Sequence, residues 1–181
     1  MSKSFSDLGI NKQLQQALTD LQISTPTDIQ IKTIPLVLNQ KEDLVVLAKT
    51  GTGKTAAFGL PLLQLIDIEN TNVQALILAP TRELGQQIYN NLVSYAVTST
   101  NIAIASLCGG IPIKPQIERL KSTTHIVVAT PGRLVDLIKR EAISIKDLKC
   151  LVLDEADEMV SALQQDLDLI INEVPNSRRT L

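Results

Sequence analysis

Asp43-Leu44-Val45-Val46-Leu47-Ala48-Lys49-Thr50-Gly51-Thr52-Gly53-Lys54-Thr55-Ala56-Ala57-Phe58 changes character twice. Leu44 to Leu47 is short, apolar and rich in β-branched side chains, which predicts a buried strand. Ala56 to Leu60 opens an apolar helix. The loop between them carries Gly51 and Gly53, so its backbone N–H groups can turn inward and a ligand can approach closely. The helix start adds unpaired N–H groups and the positive end of its dipole. Strand, loop and helix in this order form a phosphate cradle. Lys54 supplies a mobile charge for terminal phosphates, and the Thr55 hydroxyl suits Mg²⁺. The first glycine of the usual G-x-x-x-x-G-K-[ST] pattern is Ala48 here, and a plain glycine-rich turn is the bland alternative. The strand-loop-helix context favours a nucleoside triphosphate site.

Outward from this stretch the period repeats. Strands are expected at Leu44–Leu47, Gln74–Ala79, Ile102–Leu107, His125–Ala129 and Cys150–Leu153. Helical patterns lie between them: Lys54 to about Ile68, Arg82 to about Tyr95, Pro115 to Lys121 and Leu134 to Arg140, with a last one from Met159 to Val174. Such alternation predicts an α/β fold, a parallel twisted sheet with helices on both faces. Upstream, Asn11 to Leu21 reads as an amphipathic helix through Leu14, Ala17, Leu18 and Leu21. Thr25-Pro26-Thr27-Asp28 predicts a second helix start, with Thr25 as N-cap, Pro26 at the first position and a kink at Pro35. Gln30 lies one turn in, on a face its apolar neighbours do not explain; taken alone it is a solvated helix residue.

With 181 residues the chain fits one domain with a sizeable core. A formal charge of −2 provides no global basic field, so nucleic acid would need a local patch. Phe5, Phe58, Tyr89 and Tyr95 are its only aromatics, too few for readout by base stacking. Cys108 and Cys150 sit in apolar runs without metal-type spacing and read as reduced core residues. The N-terminus lacks a signal-peptide core, and no apolar run reaches the ~18 residues of a membrane span. A soluble, cytoplasmic protein without membrane contact is expected.

Ligands of parallel sheets bind at the carboxyl ends of the strands. Here those ends lead to the phosphate loop, Pro80-Thr81-Arg82-Glu83-Leu84, Cys108-Gly109-Gly110, Thr130-Pro131-Gly132-Arg133 and Asp154-Glu155-Ala156-Asp157. Asp154 would hold Mg²⁺ and Glu155 would orient or deprotonate a water. An acidic helix start explains one of these carboxylates, but not one set flush against Leu151-Val152-Leu153. The other loops stand at helix N-termini and add Arg82 and Arg133, donors suited to phosphate. Several anion sites on one rim suit a polyanion, although ordinary turn chemistry asks for the same residues.

Taken together, Pro26–Gln30, Ala48–Thr55, Pro80–Leu84, Gly109-Gly110, Thr130–Arg133 and Asp154–Asp157 resemble the first domain of a DEAD-box RNA helicase in order and spacing. The resemblance covers nearly the whole chain and implies a RecA-like P-loop NTPase domain over 1–181, with the adenine-recognising helices in 1–42 and the α/β core in 43–181. It implies ATP and Mg²⁺ as cofactors. Gln30 would read the adenine edge, with Phe5 and Ile23 beside it; Thr50, Gly51, Thr52, Gly53, Lys54 and Thr55 would hold the phosphates. Asp154 and Thr55 would hold the metal, Lys54, Asp154 and Glu155 would carry the catalysis, and Asp157 would couple the site to a following motif. Pro80, Thr81, Arg82, Gly109, Gly110, Thr130, Pro131, Gly132 and Arg133 would track the RNA backbone without reading sequence. A second helicase domain is the implied intramolecular partner in ATP hydrolysis and the opening of short duplexes.

Three departures stand out. Gln22-Ile23 replaces the family's Gly-Phe, and Ile23 can pack on adenine but not stack. Gly85 stands within a helix where alanine is usual, at a cost of roughly 1 kcal/mol. The chain stops at Arg178-Arg179-Thr180-Leu181, where the family begins a strand leading to Ser-Ala-Thr. That strand runs between the phosphate-loop strand and the Asp154 strand, so truncation and a gap in mid-sheet are expected. The competing readings are a non-catalytic nucleotide-, RNA- or partner-binding fragment and a small-molecule kinase; the kinase lacks a visible substrate insertion and leaves the polyanion rim unexplained.

Overall fold

Four four-residue strands, apolar throughout except for Ser106, pair to make the sheet: β1 (Ala75–Leu78), β2 (Ile104–Leu107), β3 (Ile126–Ala129) and β4 (Cys150–Leu153). A two-residue β5 (Arg179–Thr180) joins them, and all five run parallel in the order β2-β3-β1-β4-β5. The computed structural model describes residues 3–49, 51–98 and 101–181. Each strand lies within two residues of its expected position, except the first.

The two-residue period of a strand divides the sheet between two cores. Ala75, Ile77, Ile126, Val128, Cys150 and Val152 point into one. Leu76, Leu78, Val127, Ala129 and Leu151 point into the other. The first core is covered by α1 (Lys12–Asp20), α2 (Asp28–Asn39), α3 (Lys54–Leu65) and α4 (Arg82–Tyr95), through Leu14, Leu18, Ile34, Leu60, Ile88 and Leu92. The second is covered by α6 (Pro131–Lys139) and α8 (Gln164–Glu173), through Leu134, Leu137, Leu167 and Ile170. Helices on both faces explain why these strands read as continuous apolar runs rather than alternating ones. Two short helices, α5 (Lys114–Leu120) and α7 (Ala156–Ala162), complete the set.

Local chemistry sets the helix ends. Asn11 caps α1 by accepting from the Leu14 N–H. The N-cap of α2 is Thr27, not Thr25, because the Thr27/Gln30 pair closes a capping box. That helix runs on through Pro35. The expected last helix is two, α7 and α8, broken at Leu163 with φ −131° and ψ 23°. Gly85 is explained by packing: a Cβ there would lie 2.8 Å from the Cys108 sulfur. The space an alanine methyl would fill is occupied by the thiol.

The main correction concerns Leu44–Leu47. These residues belong to no strand, and Val45 and Leu47 are 87% and 90% exposed. The reason lies in β5. Arg179 and Thr180 pair with Cys150 and Leu151, and the Leu153 N–H donates to the Leu181 carbonyl at 2.9 Å. On the other side, the Leu44 N–H reaches the Thr180 carbonyl at 3.0 Å, and the Thr180 N–H donates to Asp43 Oδ1 at 2.6 Å. Among the described residues no strand pairs with Val45–Leu47. Residues 43–49 and Val152–Glu158 border a cavity of about 890 Å³. Arg179 holds its base together, donating to the carbonyls of Glu42 at 2.7 Å, Val37 at 2.8 Å and Leu36 at 3.4 Å.

Candidate functional site

The carboxyl ends of the strands and the start of α3 form one rim. Gly51 and Gly53 have φ of 78° and 91°, the left-handed region that glycine enters without strain. Gly53 is held closely as well, since an added Cβ would run into the Gln30 amide nitrogen. Side chains bind the carbonyls of this loop: Thr52 Oγ1 donates to Lys49 at 2.7 Å, Thr27 Oγ1 to Thr52 at 2.9 Å, and Gln30 Nε2 to Gly53 at 3.1 Å. With these three carbonyls engaged, the loop turns N–H donors rather than carbonyls toward an anion. Thr50 lies outside the described residues.

Lys54 and Thr55 form the first turn of α3, each partly exposed. Lys54 Nζ lies 3.8 Å from Asp154 Oδ1, and the two side chains are 22% and 9% exposed. Burial pushes the Asp154 carboxyl above the usual range; Lys54 opposes this, and the neighbouring Glu155 carboxylate adds to it. Glu155 has φ 54° and ψ 51°, a left-handed conformation that costs a non-glycine residue on the order of 1–2 kcal/mol. Strain of this kind concentrates at functional sites. Asp157 is exposed in the first turn of α7 and lines the same cavity.

The remaining loops are stitched to one another. Thr81 caps α4 by accepting from the Leu84 N–H at 3.3 Å, with Pro80 partly buried before it. Arg82 Nη1 donates to the Gly110 carbonyl at 3.3 Å. The Gly109 N–H donates to Thr130 Oγ1 at 3.1 Å, so that hydroxyl serves the neighbouring loop rather than its own helix α6. Pro131 is buried at the first position of α6, Gly132 is exposed, and Arg133 donates through Nη2 to the Ile111 carbonyl at 2.8 Å.

Two groups at this end were not visible as site residues in the sequence. Thr27 bridges to the phosphate loop, and the Thr-x-x-Gln spacing was its one local signal. Gln116 binds both the Cys108 carbonyl and Arg133, and no sequence pattern marks it. Conversely, Phe5 is 5% exposed and packed in the core with Leu14 and Leu18, so its ring is covered by protein. Ile23 packs partly buried against the same core.

A phosphate loop whose lysine faces the first carboxylate of Asp154-Glu155-Ala156-Asp157, beside a rim of linked Thr, Gly and Arg loops, has a counterpart among known families. The DEAD/DEAH box helicase model matches residues 27–181. The chain belongs to the DEAD/DEAH box helicase family. It is 46% identical over 178 residues to the DEAD-box ATP-dependent RNA helicase CshA of Streptococcus pneumoniae, covering 98% of this chain and 34% of that protein. The CshA of Geobacillus kaustophilus is 40% identical over 179 residues, covering 98% and 38%. The chain thus spans about a third of the length of these relatives. The crystal structure of a DEAD box protein from Methanococcus jannaschii superposes with a TM-score of 0.92 at 39% identity, covering 100% of this chain and 50% of that one. S. cerevisiae Dbp5 bound to RNA and ADP BeF3 superposes at 0.89 with 29% identity, covering 99% and 45%. The α/β sheet with helices on both faces is the RecA-like domain of these helicases.

Proposed function

We propose that this DEAD-box chain is the ATP-binding half of an ATP-dependent RNA helicase, cytoplasmic in location, and that its rim carries RNA by the backbone. The observation that carries the reading is the facing of Lys54 and Asp154 across the phosphate loop. Asp154 is a buried carboxylate with one cation beside it, and a Mg²⁺ ion would supply the charge its environment lacks. Thr55 and Asp154 would hold that ion, the N–H groups of residues 50–53 and Lys54 the phosphates, and Glu155 the attacking water. Bound Mg²⁺ supplies charge neutralisation at the phosphates. Gln30 supports an adenine base: after binding Thr27 and Gly53 its amide keeps one N–H and one lone pair, a donor-acceptor pair for a base edge.

Pro80, Thr81, Arg82, Gly109, Gly110, Thr130, Pro131, Gly132 and Arg133 would lie along the RNA. A second domain would complete hydrolysis and duplex opening. Without its charge stabilisation, hydrolysis by this chain alone should fall by ~10³–10⁵. A second reading is a non-catalytic nucleotide-, RNA- or partner-binding fragment.

Thermal melts with Mg·ADP and Mg·GDP test both readings. The expected result is a cooperative transition raised by ADP and less by GDP. Gln30→Ala should lower it by roughly 1 kcal/mol without nucleotide, through loss of the capping box, and should abolish the ADP–GDP difference. Indifference to both nucleotides would leave only the fragment reading. RNA titration at several salt concentrations completes the test, because a backbone binder loses affinity steeply with salt.

A further inference from the structure

Among the residues of α5, the buried one is a glutamine: Gln116 is 5% exposed, whereas Ile117 and Leu120 are only partly covered. Burying an amide where an aliphatic side chain would fit is unfavourable unless both of its ends are bonded. Both are. Nε2 donates to the Cys108 carbonyl at 3.0 Å, and Oε1 accepts from Arg133 Nη1 at 2.7 Å, a short charge-assisted bond. Arg133 donates through its other terminal nitrogen to Ile111. Its guanidinium therefore links Gln116 to the Ile111 carbonyl and keeps three of its five N–H groups for other acceptors.

We propose that Gln116 is a positioning residue for phosphodiester binding. It orients Arg133 so that the remaining guanidinium N–H groups face a backbone phosphate on the rim, and through the Cys108 carbonyl it sets the Gly109-Gly110 loop in the same register. This rests on the RNA-binding reading above. The competing role for Gln116 is a plug that holds the loop and has no bearing on Arg133.

A double-mutant cycle separates them. Binding of a labelled single-stranded oligouridylate to the 181-residue chain is measured at several salt concentrations for wild type, Gln116→Met, Arg133→Ala and the double variant. Gln116→Met should weaken binding roughly tenfold, the scale of one charged hydrogen bond. It should lower the salt slope by about 0.7, the share of one phosphate contact on a single strand. In the Arg133→Ala background its effect should be clearly smaller, leaving only the share carried through the Cys108 carbonyl. Equal weakening in both backgrounds makes Gln116 a plug and overturns the proposal. Should Gln116→Met not fold, Arg133→Lys decides: it keeps the charge but cannot span Gln116 and Ile111, so wild-type affinity in that variant also overturns it. A wild-type chain that binds Mg·ADP and no RNA sinks the RNA reading, and the positioning role with it.

Discussion

The two halves of the rim are built differently. On the Arg82–Arg133 side, every loop leaves a strand paired within the sheet, and three hydrogen-bonded links join the loops: Arg82 to Gly110, Gly109 to Thr130, and Arg133 to Ile111. On the phosphate side, the segment leading into the loop is held at its base by Asp43, Leu44 and Arg179, and at its far end by Thr27 and Gln30. Between these two anchors, Val45 and Leu47 lie in the open. The phosphate loop is thus held by its own helix and by side-chain stitches, whereas the rim loops on the other side are held by paired strands, because a strand requires a partner for its backbone and a helix does not.

Substitutions of like residues on the two sides should show the contrast most strongly. Leu78→Ala, in the central strand, should cost about 2–5 kcal/mol in urea unfolding. Leu47→Ala should stay within about 0.5 kcal/mol, as at an exposed site. Similar costs for the two would mean that Leu47 is buried in solution. Next in size is Arg179→Met, which removes a donor from the Glu42, Val37 and Leu36 carbonyls, the last of which keeps the Gln40 N–H. A loss of about 1–3 kcal/mol is expected, with faster hydrogen exchange at the Leu44 amide and unchanged exchange at Val128.

A smaller effect sharpens the other half. Gly85→Ala should destabilise by about 1 kcal/mol, since the clash with the Cys108 thiol outweighs the gain in helix propensity. In a Cys108→Ala background the same change should stabilise, and additivity would refute the packing account. The smallest effect is electrostatic. The folded-state pKa of Asp154 is raised, so the folded chain favours the protonated form; ionising Asp154 lowers stability as pH rises from about 3.8 through the raised value. Asp154→Asn should therefore melt higher than wild type at pH 7 without nucleotide and equal to it in strong acid. A melt lower at pH 7 would show that Lys54 outweighs burial.

Most of the fold was legible because it depends on local patterns. The apolar runs at 75–78, 126–129 and 150–153 announce strands buried on both faces, and Arg82–Tyr95 shows its helical period in Ile88, Leu92 and Tyr95. The phosphate loop and the Asp154-Glu155-Ala156-Asp157 turn were legible for the same reason, as short segments whose chemistry is local. The N-cap at Thr27 was misread because Thr25-Pro26 carries the same signal two residues earlier.

What local patterns could not convey is pairing. Leu44–Leu47 has the composition of a buried strand, yet whether it is buried depends on a neighbour contributed by residues 135 positions later in the chain, from Arg179 on. Gly85 looks like a flaw in a helix until the Cys108 sulfur is found in its space. Gln116 is an unremarked side chain until the fold brings Arg133 and the Cys108 carbonyl to its two ends. Sequence alone determined the order of strands, loops and helices and the chemistry available at each turn, because these follow from side-chain type and spacing. Only the tertiary structure decided which strand is covered and which polar groups meet, because burial and hydrogen bonding are properties of neighbours that are distant in the chain.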